Sequence, residues 1–134
     1  MRYYKTELSH DNPYYISKHR FCELRHYCMQ YNEWKKALND ISLIREMSLD
    51  DINSGCLPDI VPDIVEKRER YLKNIELVEK CCKRTDEFFW EYILLGVTTD
   101  VGYDNLRLMH NIACCRNKYY QMYRKFFYIL SGFR

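Results

Sequence analysis

The chain has 134 residues, 47% of them hydrophobic, with four glycines and three prolines. That is enough apolar material for one buried core and too few turn residues for an all-β protein. The net charge of +2 conceals an asymmetry, because residues 105–134 hold six basic and no acidic side chains and residues 1–104 therefore stand at −4.

Residues 1–15 are polar and rich in tyrosine, and Asn12-Pro13 predicts a turn. The opening Met1-Arg2-Tyr3-Tyr4-Lys5 leads into polar residues, so no signal peptide is expected. No apolar run approaches the length needed to cross a bilayer, so no membrane association is expected and a cytoplasmic location is. Ser17 is the expected N-cap of a first helix over 18–31, with Phe21, Leu24, Cys28 and Tyr31 as its apolar stripe. Asn32 is then the expected cap of a second helix over 33–44, with Trp34, Leu38 and Ile41 facing inward.

The helical pattern breaks over residues 47–62, which contain Asp50, Asp51, Asn53, Gly55, Pro58 and Pro62. A long acidic connection is expected there, the alternative being one turn of helix over 49–52. Asp50, Asp51, Asp59 and Asp63 lack the regular ligand spacing, central glycine and closing glutamate of a calcium loop. A third helix is expected from Pro62 to Arg84, with Ile64, Tyr71, Ile75, Val78 and Cys82 inward and an alternating-charge face at 66–73.

Asp86 offers a cap for a fourth helix over 87–95, apolar almost all round and so expected at the centre of the core. Gly96 is the expected C-cap. Trp90, Tyr92 and Leu94 of this helix are expected to pack on Tyr123, Phe126 and Leu130. After a loop at 98–102, a short helix over 103–110 ends in a turn at His110-Asn111, since asparagine tolerates the left-handed conformation. A last helix over 115–130 would put Tyr119, Tyr123, Phe126, Phe127 and Leu130 in the core. The predicted fold class is all-α, about six helices in a single helical domain. Its N-terminal helices occupy 1–83, with the acidic connection at 47–62, and its helix-turn-helix-like part occupies 86–134.

Little in this sequence points to catalysis. The phosphate-loop, dinucleotide, zinc-protease and nucleophile-elbow patterns are missing, so no enzyme activity and no cofactor are expected. His19, Cys22 and His26 could face one way on the first helix, but zinc needs a further ligand or an open position, and a histidine pair beside a core cysteine is the expected reading. The seven cysteines are odd in number and include no CxxC, so they are read as small buried or half-buried apolar residues held reduced.

Residues 105–134 carry the functional signal. A terminal helix normally mixes both charge signs on its wet face. This one keeps only the positive sign, with Asn117 and Gln121 interleaved, which suits phosphates and base edges. The candidate DNA-binding set is Arg107, Arg116, Asn117, Lys118, Tyr120, Gln121 and Arg124. Arg116 is expected to read a base, and Lys118, Arg124 and Arg107 to hold phosphates.

Two stretches together resemble a known family. Tyr14-Tyr15-Ile16-Ser17-Lys18-His19-Arg20, with Gln30-Tyr31-Asn32-Glu33-Trp34-Lys35-Lys36, resembles the start of small proteins of Firmicutes phages and prophages. The run from Tyr119 to Ser131 resembles their end. Those proteins are similar to late-gene transcriptional regulators of the ArpU and RinA kind, whose C-terminal unit looks like the helix-turn-helix of sigma factor region 4. The resemblance implies a phage-type regulator in a bacterial host cell, binding double-stranded DNA as a monomer or homodimer. Carried over, it puts Arg116, Lys118, Tyr120 and Arg124 on the recognition helix. Ala113-Cys114 stand where a proline or a Ser/Thr cap would be expected. The alternative is a phage protein that binds and inhibits a host protein complex, such as an anti-CRISPR protein, with Asp50, Asp51, Asp59 and Asp63 as its partner surface.

Overall fold

The computed structural model describes residues 13–52 and 61–134, and the side chains of 13–43 and 64–134. Every regular element among them is an α-helix, so the fold is all-α. The helices are α1 (Lys18–Met29), α2 (Tyr31–Ile52), α3 (Val61–Thr85), α4 (Trp90–Thr99), α5 (Tyr103–His110) and α6 (Arg116–Phe133). By their contacts the residues fall into two units, one comprising the chain up to Gln30 together with Leu77–Arg134, the other Tyr31–Glu76. α1 thus belongs with the C-terminal helices and not with its neighbours in sequence.

In the first unit α1 packs on α4 and α6, and α4, α5 and α6 pack on one another. Ser17 starts α1 as its spacing predicts, its hydroxyl accepting from the Arg20 amide at 3.3 Å. Phe21, Leu24, Tyr27 and Cys28 form the buried face of α1. Phe21 meets Phe127 edge-on at 4.9 Å and Tyr123 at 6.2 Å, favoured ring geometries that add to the area they bury. Arg20 ties α1 to the end of α6 through Ser131, its Nε donating to the hydroxyl at 3.3 Å. Arg25 ties α1 to the end of α4 in turn, pairing with Asp100 at 2.5 Å.

α6 supplies the largest share of this core. Tyr119, Met122, Tyr123, Phe126, Phe127 and Leu130 are buried, one face of a helix sustained over three turns. Val78, Cys81 and Cys82 of the last turns of α3 are fully buried with them. Phe133 closes the end of α6 under the cations of Lys80 and Arg84, at 4.7 and 4.9 Å from its ring.

The second unit holds α2 and the first part of α3. Tyr31, Trp34 and Ile41 are its buried stripe on α2, while Leu38 is only half-buried. On α3 Ile75 is buried, Ile64 and Tyr71 are half-buried, and residues 65–70 are exposed.

Several expected boundaries move. α1 stops at Met29, and Asn32 lies exposed inside α2 instead of capping it. α2 runs through the expected break at Met47 to Ile52, since no glycine or proline interrupts it before Gly55. Asp86 caps a turn and not a helix: its Oδ1 accepts from the amides of Phe88 and Phe89 at 2.8 and 2.9 Å, and α4 begins at Trp90. Phe88, expected within a buried helix, is 82% exposed.

Gly96 does not end α4. It is buried in mid-helix, where an added Cβ would collide with the Tyr119 hydroxyl and stand 3.3 Å from its Cζ. The glycine is there so that the ring tip can reach the helix backbone. α4 continues until Asp100 adopts the left-handed conformation, with φ 57°. The buried positions of α4 are Ile93, Gly96, Val97 and Thr98, whereas Trp90, Tyr92 and Leu94, the expected contacts of α6, are half-buried.

Candidate nucleic-acid interface

The α5 helix forms over Tyr103–His110, as its sequence predicts, and Asn111 terminates it at φ 53°, ψ 45°. With the chain turned at Asn111, the Ile112 amide donates to the Leu106 carbonyl at 3.4 Å and the Ile112 side chain is buried. α6 then begins at Arg116 after Cys115, whose backbone is extended and whose side chain makes no capping bond. The absence of a Ser, Thr or Pro before the helix is therefore real in the structure. The segment on either side of the start of α6 is instead stapled to α5. Tyr103 donates its hydroxyl to the Cys114 carbonyl at 2.7 Å, and the Tyr103 amide donates to the Tyr120 hydroxyl at 3.4 Å.

Beneath these staples lies a stack of rings. Tyr119 is fully buried, 6.0 Å from the Tyr103 ring and 5.1 Å from that of Tyr120. Burial pushes its hydroxyl well above the ordinary tyrosine pKa, and does the same for Tyr123. Both hydroxyls stay neutral, so this part of the buried face of α6 carries no charge.

Above it, the structure brings together most of the candidate DNA-binding residues. Asn117, Lys118 and Gln121 are exposed along α6, and Arg107 is exposed on the last turn of α5. Arg116 keeps 40% of its side chain exposed, 3.6 Å from Asp104 and with its guanidinium 5.7 Å from the centre of the Tyr120 ring. The exposed acid in this neighbourhood thus faces the first arginine of α6. Tyr120 is half-buried with its hydroxyl engaged by α5, so it braces Arg116. Arg124 is half-buried rather than fully exposed, and its Nε is buried without a hydrogen-bond acceptor among the described residues.

Sequence reasoning missed two features here. Lys125, two turns along α6, joins Lys118 and Arg124 around one cavity. Leu108 and Met109 stand 78% and 76% exposed on α5. The run of positives signalled the first, whereas the second follows only from which face of α5 is buried.

The acidic candidates behave differently. Asp50 and Asp51 belong to α2 and Asp63 to α3, but their side chains, and all of Asp59, lie outside the described residues. His19 and His26 are exposed and Cys22 half-buried on α1. Among the described residues no group of three His, Cys, Asp or Glu side chains is placed to hold a metal ion, and no helix is long and apolar enough to cross a membrane.

Comparison with protein-family models, with curated proteins and with solved structures found no match. The functional reading therefore rests on the geometry of this chain.

Proposed function

We propose that this protein is a DNA-binding transcriptional regulator of the kind encoded by phages and prophages, with α5 and α6 as a helix-turn-helix and α6 as the recognition helix. The observation that carries the reading is the coincidence of two things. One is a short helix, a left-handed asparagine and a longer helix locked by two tyrosine hydroxyls. The other is an exposed face on that longer helix bearing Arg116, Asn117, Lys118 and Gln121 and no acid. Recognition helices present the side chains of their first turns to base edges in the major groove. Arg116, the first residue of α6, is suited to guanine, which arginine contacts bidentately. Lys118 and Arg107 are suited to the flanking phosphates.

Titration of the chain with duplex DNA at graded salt tests the reading. Each neutralised phosphate steepens the fall of log affinity with log salt by about 0.9. Lys118→Ala is expected to weaken binding uniformly across sequences and reduce the slope by about one, whereas Arg116→Ala relaxes sequence preference. Absence of binding at low salt, or binding indifferent to salt, overturns the proposal.

A further inference from the structure

Beside its exposed face, α6 also borders a cavity of about 400 Å³, within the range of small-ligand sites. Its walls are the segment at Tyr14, the end of α3 at Asp86, and α6 with Lys118, Gln121, Arg124 and Lys125. Tyr14 is fixed by an edge-on contact with Tyr128, the ring centres 5.7 Å apart. Among the described residues that line it, three cations thus meet one carboxylate, whose Oδ1 already accepts from the Phe88 and Phe89 amides. Arg124 is the informative residue. A buried guanidinium N–H without an acceptor is costly, and native structures rarely leave one so unless something else supplies the acceptor. Arginine is also the side chain whose planar fork matches phosphate oxygens.

We propose that this cavity binds a phosphate group, with the Arg124 guanidinium donating to its oxygens, Lys118 and Lys125 supplying ammonium charge, and the Gln121 amide completing the donors. The proposal goes beyond the DNA reading, because it concerns one phosphate seat beside α6, whatever molecule carries the phosphate. Two sources share that chemistry: a free phosphate monoester of mononucleotide size, and a backbone phosphate of DNA.

The test follows the side-chain Nε–H resonance of Arg124 in the full chain on addition of inorganic phosphate, adenosine monophosphate or a short DNA duplex. The expected result is a saturable shift, with affinity lowered about tenfold or more in Arg124→Gln, the loss of a charge-assisted hydrogen bond. A shift with the two small phosphates identifies a free ligand, and a shift with the duplex alone identifies the DNA backbone; either supports the seat. Lys125→Gln, at a half-buried site, repeats the test should Arg124→Gln fail to fold. The proposal is overturned if none of the three probes moves the resonance, or if both substitutions leave the affinity of the bound probe unchanged. DNA affinity that survives with no shift at Arg124 sinks the seat and leaves the regulator standing. Binding of adenosine monophosphate without any DNA binding does the reverse.

Discussion

At Gly96 a single missing methyl group decides how two helices meet. A Cβ there would be driven into the Tyr119 hydroxyl, and Tyr119 is fully buried and cannot swing aside. Gly96→Ala gains helix propensity of up to about 1 kcal/mol but overpacks the contact at a cost of about 1–3 kcal/mol. The expected net outcome is a lower melting temperature, with most of the loss recovered in the double variant Gly96→Ala/Tyr119→Phe. Additive effects in that pair would disprove the contact. The sequence made this glycine look like a helix stop, because a glycine after an apolar run is a common C-cap. Nothing local distinguishes a cap from a point of close approach; the distinction lies in Tyr119, which is distant in sequence. The cysteines were more legible. Cys28, Cys81 and Cys82 are free and buried, and burial raises the thiol pKa of Cys81 to about 11 and those of the other two further. Cys115 departs from the expected burial, being free and exposed just before α6 begins. Alkylation of the native chain, read by mass spectrometry, should label Cys115 early and leave Cys28, Cys81 and Cys82 untouched until the chain is unfolded.

Among the elements, α5 and its turn were the most legible, because the relevant signals are local. An amphipathic eight-residue pattern followed by asparagine fixes both the helix and its exit. Asn111→Ala places a Cβ-bearing, non-asparagine residue in the left-handed conformation and should cost about 1–2 kcal/mol, whereas Asn111→Gly should be close to neutral. Denaturant unfolding of the two variants measures the difference, and equal stabilities would show that the turn is not strained. The start of α4 was misread for the opposite reason. Asp86 satisfies two amides as a cap would, but three residues too early, so that Phe88 is turned outward and the helix waits for Trp90. The acidic run at residues 50 and 51 was read as a break when the helix tolerates it to Ile52. Of the candidate DNA-binding set, the exposed polar residues of α6 could be read from charge and period. The bracing role of Tyr120 and the half-buried state of Arg124 depend on α5 and on the cavity wall, and periodicity carries neither.

For the whole molecule, stability and recognition should separate cleanly. Phe126 is fully buried, so Phe126→Ala is expected to cost about 3–5 kcal/mol and to weaken DNA binding only through unfolding. Lys118 is exposed, so Lys118→Ala should leave stability within about 0.5 kcal/mol while altering the salt dependence. Thermal melts alongside the DNA titration check both; a silent Phe126→Ala would mean that the ring is not core. Alkaline pH gives a further measurement. Buried Cys28, Cys81, Cys82, Tyr119 and Tyr123 all hold their protons more tightly when folded than when unfolded. The unfolded chain releases protons first, from about pH 9 for thiols and pH 10 for tyrosines. Stability is therefore expected to be fully present below pH 8 and to fall as pH rises through 9 to 11, by up to about 1.4 kcal/mol per pH unit for each group. A melting temperature that stays flat to pH 11 would contradict the burial of these groups.

The pairing of α1 with α6 has a consequence for how the chain acquires its structure. Arg20 reaches Ser131 across 111 positions of sequence, and Phe21 closes on Phe127. On a ribosome, α1 emerges early; its partner α4 is made later, and its apolar side is not fully covered until α6, the last of the described helices, has followed. The stripe of Phe21, Leu24, Tyr27 and Cys28 must spend much of synthesis incompletely covered, which makes the nascent chain a natural client for chaperones. Closure over so long a separation is also slow to nucleate. α6 would thus become rigid in the same event that completes this core, so that a chain interrupted before α6 would lack both the core and the helix that carries Arg116 and Lys118.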